Sequence, residues 1–180
     1  MKPNYNNGIS ISALMNLEPI IKSELLIKPE IWNTLDVDYF PPRVERLWTQ
    51  YGDFRIFLHT IHQTNEKCLY HKHRWPGVFK QLKGAYEMGI TFSEKEISSD
   101  EAHDLPDLAK FVVSAGSYYE MTQTDALHYV RPITDVSYSI MLTKSLYPEA
   151  EFRKEILLNK LSSLTDNRKM TLLSEFNELM

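Results

Sequence analysis

Apolar positions along the chain follow two different periods, and the change of period divides it. From residue 9 to about 50 the spacing is helical, with Ile11, Leu14, Met15 and Leu17 on one stripe. Pro19 is placed to open a second helical segment carrying Ile20, Ile21, Leu25 and Leu26. Pro41-Pro42 ends one element, and Val44, Leu47, Trp48 and Tyr51 make a further helical stripe closed by Gly52.

Between about 53 and 146 the pattern becomes that of strands. Phe54 to His62 is apolar and β-branched on both faces, as in a strand covered on both sides. Similar runs follow at Cys68–His73, Val78–Leu82, Ala85–Phe92, Lys110–Val113, Tyr118–Met121, His128–Val130 and Val136–Thr143. Turn residues separate them, among them Thr64-Asn65, Pro76-Gly77, Gly84, Ala115-Gly116 and Thr134-Asp135. Roughly eight short strands at intervals of ~8–12 residues predict an antiparallel sandwich or barrel. After Pro148 the helical period returns in Phe152, Ile156, Leu157 and Leu161. A second helix carries Met170, Leu173, Phe176 and Leu179, with Thr165 or Asp166 as its cap. The expected organisation is one compact domain: a helical segment over 1–52, a barrel over 53–147 and a helical extension over 148–180.

Composition narrows the function classes. With 43% apolar and 24% charged residues, the 180-residue chain is an ordinary globular one. Twenty basic residues against twenty-four acidic ones leave a net charge of -4, so no cationic field recruits nucleic acid. A lone cysteine, Cys68, excludes a disulfide framework and points to a reducing compartment. No apolar run reaches the ~20 residues of a membrane-spanning helix, and the N-terminus lacks a secretory signal core. A cytoplasmic protein without membrane or nucleic-acid partners is expected. The six glycines form no phosphate-binding pattern, and no G-x-S-x-G elbow occurs.

The chemistry concentrates in Tyr70-His71-Lys72-His73-Arg74-Trp75-Pro76. Two apart on a strand, His71 and His73 share a face with Cβ atoms ~6–7 Å apart. Two imidazoles so aimed suit a divalent first-row metal. Downstream stand Gly77, Gly84, Gly116-Ser117-Tyr118-Tyr119 and His128-Tyr129-Val130-Arg131-Pro132. In His71, His73, Gly84 and His128 the chain resembles the cupin superfamily of double-stranded β-helix (jelly-roll) barrels, over about residues 55–145.

The resemblance implies a mainly β, cupin-type barrel with flanking N-terminal and C-terminal α-helices, and a metal held by His71, His73 and His128. Where the family usually places a glutamate ligand, this chain has Gly77. The remaining three-histidine set is similar to the thiol-dioxygenase branch. It implies an Fe(II)-dependent dioxygenase acting on a small anionic molecule, with Zn, Ni or Mn as alternative ions. Neutral imidazoles leave the ion its full charge, which favours an anion.

Arg55 and Arg131, beside Arg74, are candidates to clamp a substrate carboxylate, although Arg131 would face away from His128 on a regular strand. Tyr118 and Tyr119 are the candidate tyrosines. His59 and His62 are expected as core or edge histidines, His103 has no role, and Cys68 is expected as a small buried apolar group. Two other functions stay open: a non-enzymatic small-molecule binding or interaction module, and a metal-dependent isomerase or lyase. Jelly-roll barrels often pair, so a homodimer joins the expectations.

Overall fold

The computed structural model describes residues 8–38, 41–72, 76–92, 105–122, 126–144 and 162–180. Helix α1 (Ile11–Ile20) starts where the Ser10 side chain accepts a hydrogen bond from the Ala13 N–H. It continues past Pro19 into a π-helical turn, Ile21–Leu25, instead of breaking there. Pro19 has no N–H to continue the ladder, and the chain widens behind it until the Leu26 N–H reaches the Ile21 carbonyl at 2.9 Å. A short 3₁₀ turn (Pro29–Ile31) leads into the strands.

Those strands are β1 (Asn33–Val37), β2 (Val44–Tyr51), β3 (Phe54–His62), β4 (His71–Lys72), β5 (Gly77–Lys83), β6 (Ala85–Phe92), β7 (Ala109–Ser114), β8 (Tyr118–Met121), β9 (Ala126–Pro132) and β10 (Val136–Lys144). The helix expected over Val44–Tyr51 is therefore a strand. Val44 and Trp48 turn to one side and Leu47 and Tyr51 to the other, and both sides are covered. Two buried faces read together mimic a helical stripe.

Six strands make one sheet, in the order β1-β2-β3-β10-β5-β8, and four make the other, β4-β9-β6-β7. Four antiparallel pairs nest inside one another: β3 with β10, β4 with β9, β5 with β8 and β6 with β7. That is a long hairpin rolled up across two sheets, the jelly roll of a cupin-type barrel. β1 and β2 extend the larger sheet beyond β3.

The outer face of that sheet is covered by the helices. Leu14, Leu17, Ile21 and Leu25 pack with Leu47, Ile56, Leu58, Val78, Ile140 and Leu142 in one core. The C-terminal helix α2 (Asp166–Leu179) adds Leu172, Leu173 and Phe176 to it, and Thr165 caps its start as expected. The other helix expected after Pro148 lies outside the described residues. No described helix is long and apolar enough to cross a membrane.

One buried ion pair fastens α2. Arg168 donates to both oxygens of Glu45 on β2, at 2.7 and 2.5 Å, and the His62 ring nitrogen lies 2.8 Å from the same carboxylate. Burial alone would raise the Glu45 pKa, but the Arg168 guanidinium and His62 outweigh it and hold the carboxyl below its ordinary value. A depressed carboxyl stabilises the fold above its unfolded pKa, and that contribution disappears as pH falls through the folded value. Glu45→Gln is therefore expected to cost about 1–3 kcal/mol at pH 7. The deficit should narrow on acidification to pH 4 and below, measured by urea unfolding of both proteins across that range.

Candidate metal centre

The barrel interior is lined by one face of each sheet, and alternation decides which residues enter it. On the larger sheet a transverse row of Arg46, His59, Ser139 and Gln81 faces inward. Beside it runs an apolar row, Trp48, Phe57, Met141 and Phe79, continued by Tyr119. Phe57, Phe79, Met121 and Met141 form a buried cluster with Trp48 and Tyr119. The smaller sheet contributes Tyr86, Met88, Ile90, Val113 and Val130. The two sheets meet where the Tyr86 and Tyr119 hydroxyls lie 2.7 Å apart.

His71 and His128 are directly opposed in the β4–β9 register, and their rings lie 4.5 Å apart at a tilt of 53°. Each is held through Nδ1. That of His71 lies 3.2 Å from the Leu69 carbonyl, which can only accept, so the proton is on Nδ1 and the lone pair on Nε2. That of His128, on a ring 2% exposed, lies 3.3 Å from the Met88 sulfur. Fixing one nitrogen to set the tautomer and aim the other is how metal-ligating histidines are oriented. Burial pushes the His71 pKa down, and the positive charge of Arg46 pushes it the same way, so the ring is neutral as a ligand must be.

His73, the third expected ligand, lies outside the described residues, as do Arg74 and Trp75. Among the described residues no set of three or more His, Cys, Asp or Glu side chains is grouped to hold an ion. Gly77 faces the apolar cluster of the interior. A Cβ at this position would come 3.0 Å from Met141 Cε and 3.1 Å from Phe79 Cε2, so any side chain there would require these two neighbours to give by a few tenths of an ångström.

The other candidates divide between the two faces. Arg55 is inside, buried at 8% exposure, with its guanidinium 5.3 Å from the Trp48 ring centroid. Tyr119 is inside, stacked on Phe79 at 4.7 Å. Burial pushes its phenol well above the ordinary value, so it is a proton donor and not a phenolate. Tyr118 and Arg131 do not join them. As the neighbour of Tyr119, Tyr118 turns outward, donating to Glu18 of α1 at 2.5 Å. Arg131 stands on the outer face of the smaller sheet, 2.9 Å from Glu87, as the odd spacing from His128 requires.

His59 faces the interior and stacks on Phe57 at 5.9 Å, whereas His62 turns to Glu45. Cys68 is buried, and burial pushes its thiol up to about 11, as expected for an inert core group. Arg46 escaped the sequence reading because its segment was assigned to a helix. Alternation of Glu45, Leu47 and Thr49 with Arg46, Trp48 and Gln50 was the signal that could have found it.

No family model matches the chain, and no curated protein matches it. Solved structures resemble it at low identity. Hydroxypropylphosphonic acid epoxidase from S. wedmorenis is 11% identical over 64% of this chain, with a TM-score of 0.47. The chain spans only 56% of that protein. KdgF from Halomonas sp. is 16% identical over 66% of this chain and 91% of its own, with a TM-score of 0.43. An RmlC-like cupin from Shewanella frigidimarina is 13% identical over 67% and 90%, with a TM-score of 0.45. The fold assignment rests on the strand order itself.

The Tyr86–Tyr119 pair can be tested for its part in closing the barrel. Removing one hydroxyl leaves the other buried without its partner, so Tyr86→Phe and Tyr119→Phe should each cost about 1–3 kcal/mol. The double variant should cost clearly less than the two together, measured by chemical denaturation in a double-mutant cycle.

Proposed function

We propose that the barrel interior is a mononuclear metal site, held by His71, His73 and His128, that acts on a small anionic molecule. The observation supporting this reading is the opposed, inward-facing pair His71 and His128, each fixed through Nδ1. Fe(II) is the favoured ion, with Zn, Ni or Mn as alternatives, and a dioxygenase is the favoured activity. An iron so held would supply the one-electron chemistry that dioxygen requires.

The chain's own residues would do the rest. Arg46, whose positive charge reaches His71 from the opposite sheet, would draw in and orient the anionic group. Arg55 would add a second cation on the same face, across the row of Trp48 and Phe57. The apolar row of Trp48, Phe57, Met141 and Phe79 would exclude water from the reacting part of the molecule. Tyr119, kept protonated by burial, would donate a hydrogen bond.

One observation favours a second reading. The apolar cluster that faces Gly77 would also suit a metal-free binding barrel that holds a small molecule without reacting it.

Elemental analysis after anaerobic loading with Fe(II) separates the two. The metal site predicts close to one ion per chain, and His71→Ala and His128→Ala should each weaken uptake at least about ten-fold. Undiminished stoichiometric metal in both variants, or none in the parent protein, leaves the binding barrel as the reading.

A further inference from the structure

The outer face of the smaller sheet carries a polar network made by the sequence neighbours of the interior residues. Tyr70 precedes His71, Tyr129 follows His128, and Glu87 precedes Met88, the sulfur neighbour of His128. Consecutive strand residues point opposite ways, so each interior group has a partner in this network one peptide away. Tyr70 is 5% exposed, donates its hydroxyl to Asp107, and meets the Tyr129 ring edge-on at 5.0 Å. Asp107 is in turn held by Lys110 at 2.8 Å. Tyr129 donates to Glu87 at 2.7 Å, and Arg131 pairs with Glu87.

The network lies flush on the sheet. Gly89, opposite Tyr129 in the register, is where any Cβ would run into the Tyr129 ring and Asp107 Oδ1. Close approach to the β6 backbone therefore requires glycine at that position.

Tyr70 packs with Cys68, Leu127 and Tyr129 in a small buried cluster beside an open cleft. The segment Thr64–Tyr70 and the sheet face enclose a cleft of about 490 Å³. Within the described residues β4 meets β9 at two positions, His71↔His128 and Lys72↔Leu127. The Tyr70 hydroxyl and its ring contact join the packing of Cys68 on Leu127 and Tyr129 in tying this stretch to the sheet, and the hydroxyl is the polar part of that tie.

We propose that Tyr70, through its hydrogen bond to Asp107, is a positioning residue that holds His71 against His128 from the opposite face of the sheet. The proposal rests on the metal reading for its consequence in catalysis, but not for its geometry. Losing the tie lets the Leu69–His71 backbone shift toward the cleft and separates the two imidazoles.

The test uses the full chain, first without metal. Nuclear Overhauser contacts between the His71 and His128 rings, expected at a 4.5 Å separation, should weaken at least two-fold in Tyr70→Phe and in Asp107→Ala. Asp107→Asn, which keeps an acceptor for the hydroxyl, should restore most of the contact. Fe(II) affinity should fall about ten-fold in the first two variants and recover in Asp107→Asn. Unchanged ring contacts in a folded Tyr70→Phe protein, with only a lower unfolding temperature, would overturn the proposal. If Tyr70→Phe does not fold, the Asp107 pair decides in the same way. Loss of ring contacts in a protein whose parent takes up no metal upholds the positioning and removes the metal reading alone.

Discussion

The site depends on the register between β4 and β9. In an antiparallel pair, a shift of one residue sends every side chain to the other face. Here a slip of β4 by one residue along β9 would turn His71 to the outer face, away from His128, which β6 keeps inside. The nested pairing of the jelly roll fixes this register from a distance. β9 is bonded to β6 over seven residue pairs, from Tyr86↔Pro132 to Phe92↔Ala126, so its orientation is strongly set. β4 inherits its position from β9, and a small tie on the outer face has leverage on a contact inside.

The interior is divided into bands, and the division has an electrostatic consequence. Arg46 and Arg55 enter from the larger sheet on either side of the apolar row containing Trp48 and Phe57. Their guanidinium groups lie 5.6 Å from the Phe57 ring and 5.3 Å from the Trp48 ring. Stacking on aromatic faces keeps each cation in place at modest desolvation cost, because the guanidinium is weakly hydrated. In a medium of low dielectric these charges act over a longer range than in water. Both cations therefore sit on the inner face of a chain whose net charge is -4. Net charge alone did not reveal that placement.

What could be read from the sequence followed the cleanliness of its period. Ala85–Phe92 and Tyr118–Met121 are strands where the turn residues on both sides predict them, whereas the run predicted from Cys68 becomes strand only at His71. The C-terminal helix and its Thr165 cap were equally visible. β2 was not, because Leu47 is buried under the helices while Val44 and Trp48 face the barrel, and the combined spacing is that of a helix. The error carried Arg46 out of view with it. His71 and His128 were recognisable by residue type, but their opposition is a matter of register, which no local pattern encodes. Tyr118 and Tyr119 could not be told apart, since a parity of one residue depends on which face the strand buries.

The mis-assigned strand also changes how the N-terminal segment contributes. β2 places Arg46 in the barrel and Glu45 under α2, from adjacent positions on opposite faces. The buried Glu45–Arg168 pair therefore does more than fasten a helix to a finished barrel. It pins the outer face of the strand whose inner face carries Arg46, a charge that disfavours protonation of His71. Breaking it would leave a buried carboxylate without its main partner and loosen β2 against β3. The first segment, the barrel and the terminal helix are in this sense one construction around the interior. β2 lines the interior alongside the strands that bear the histidines.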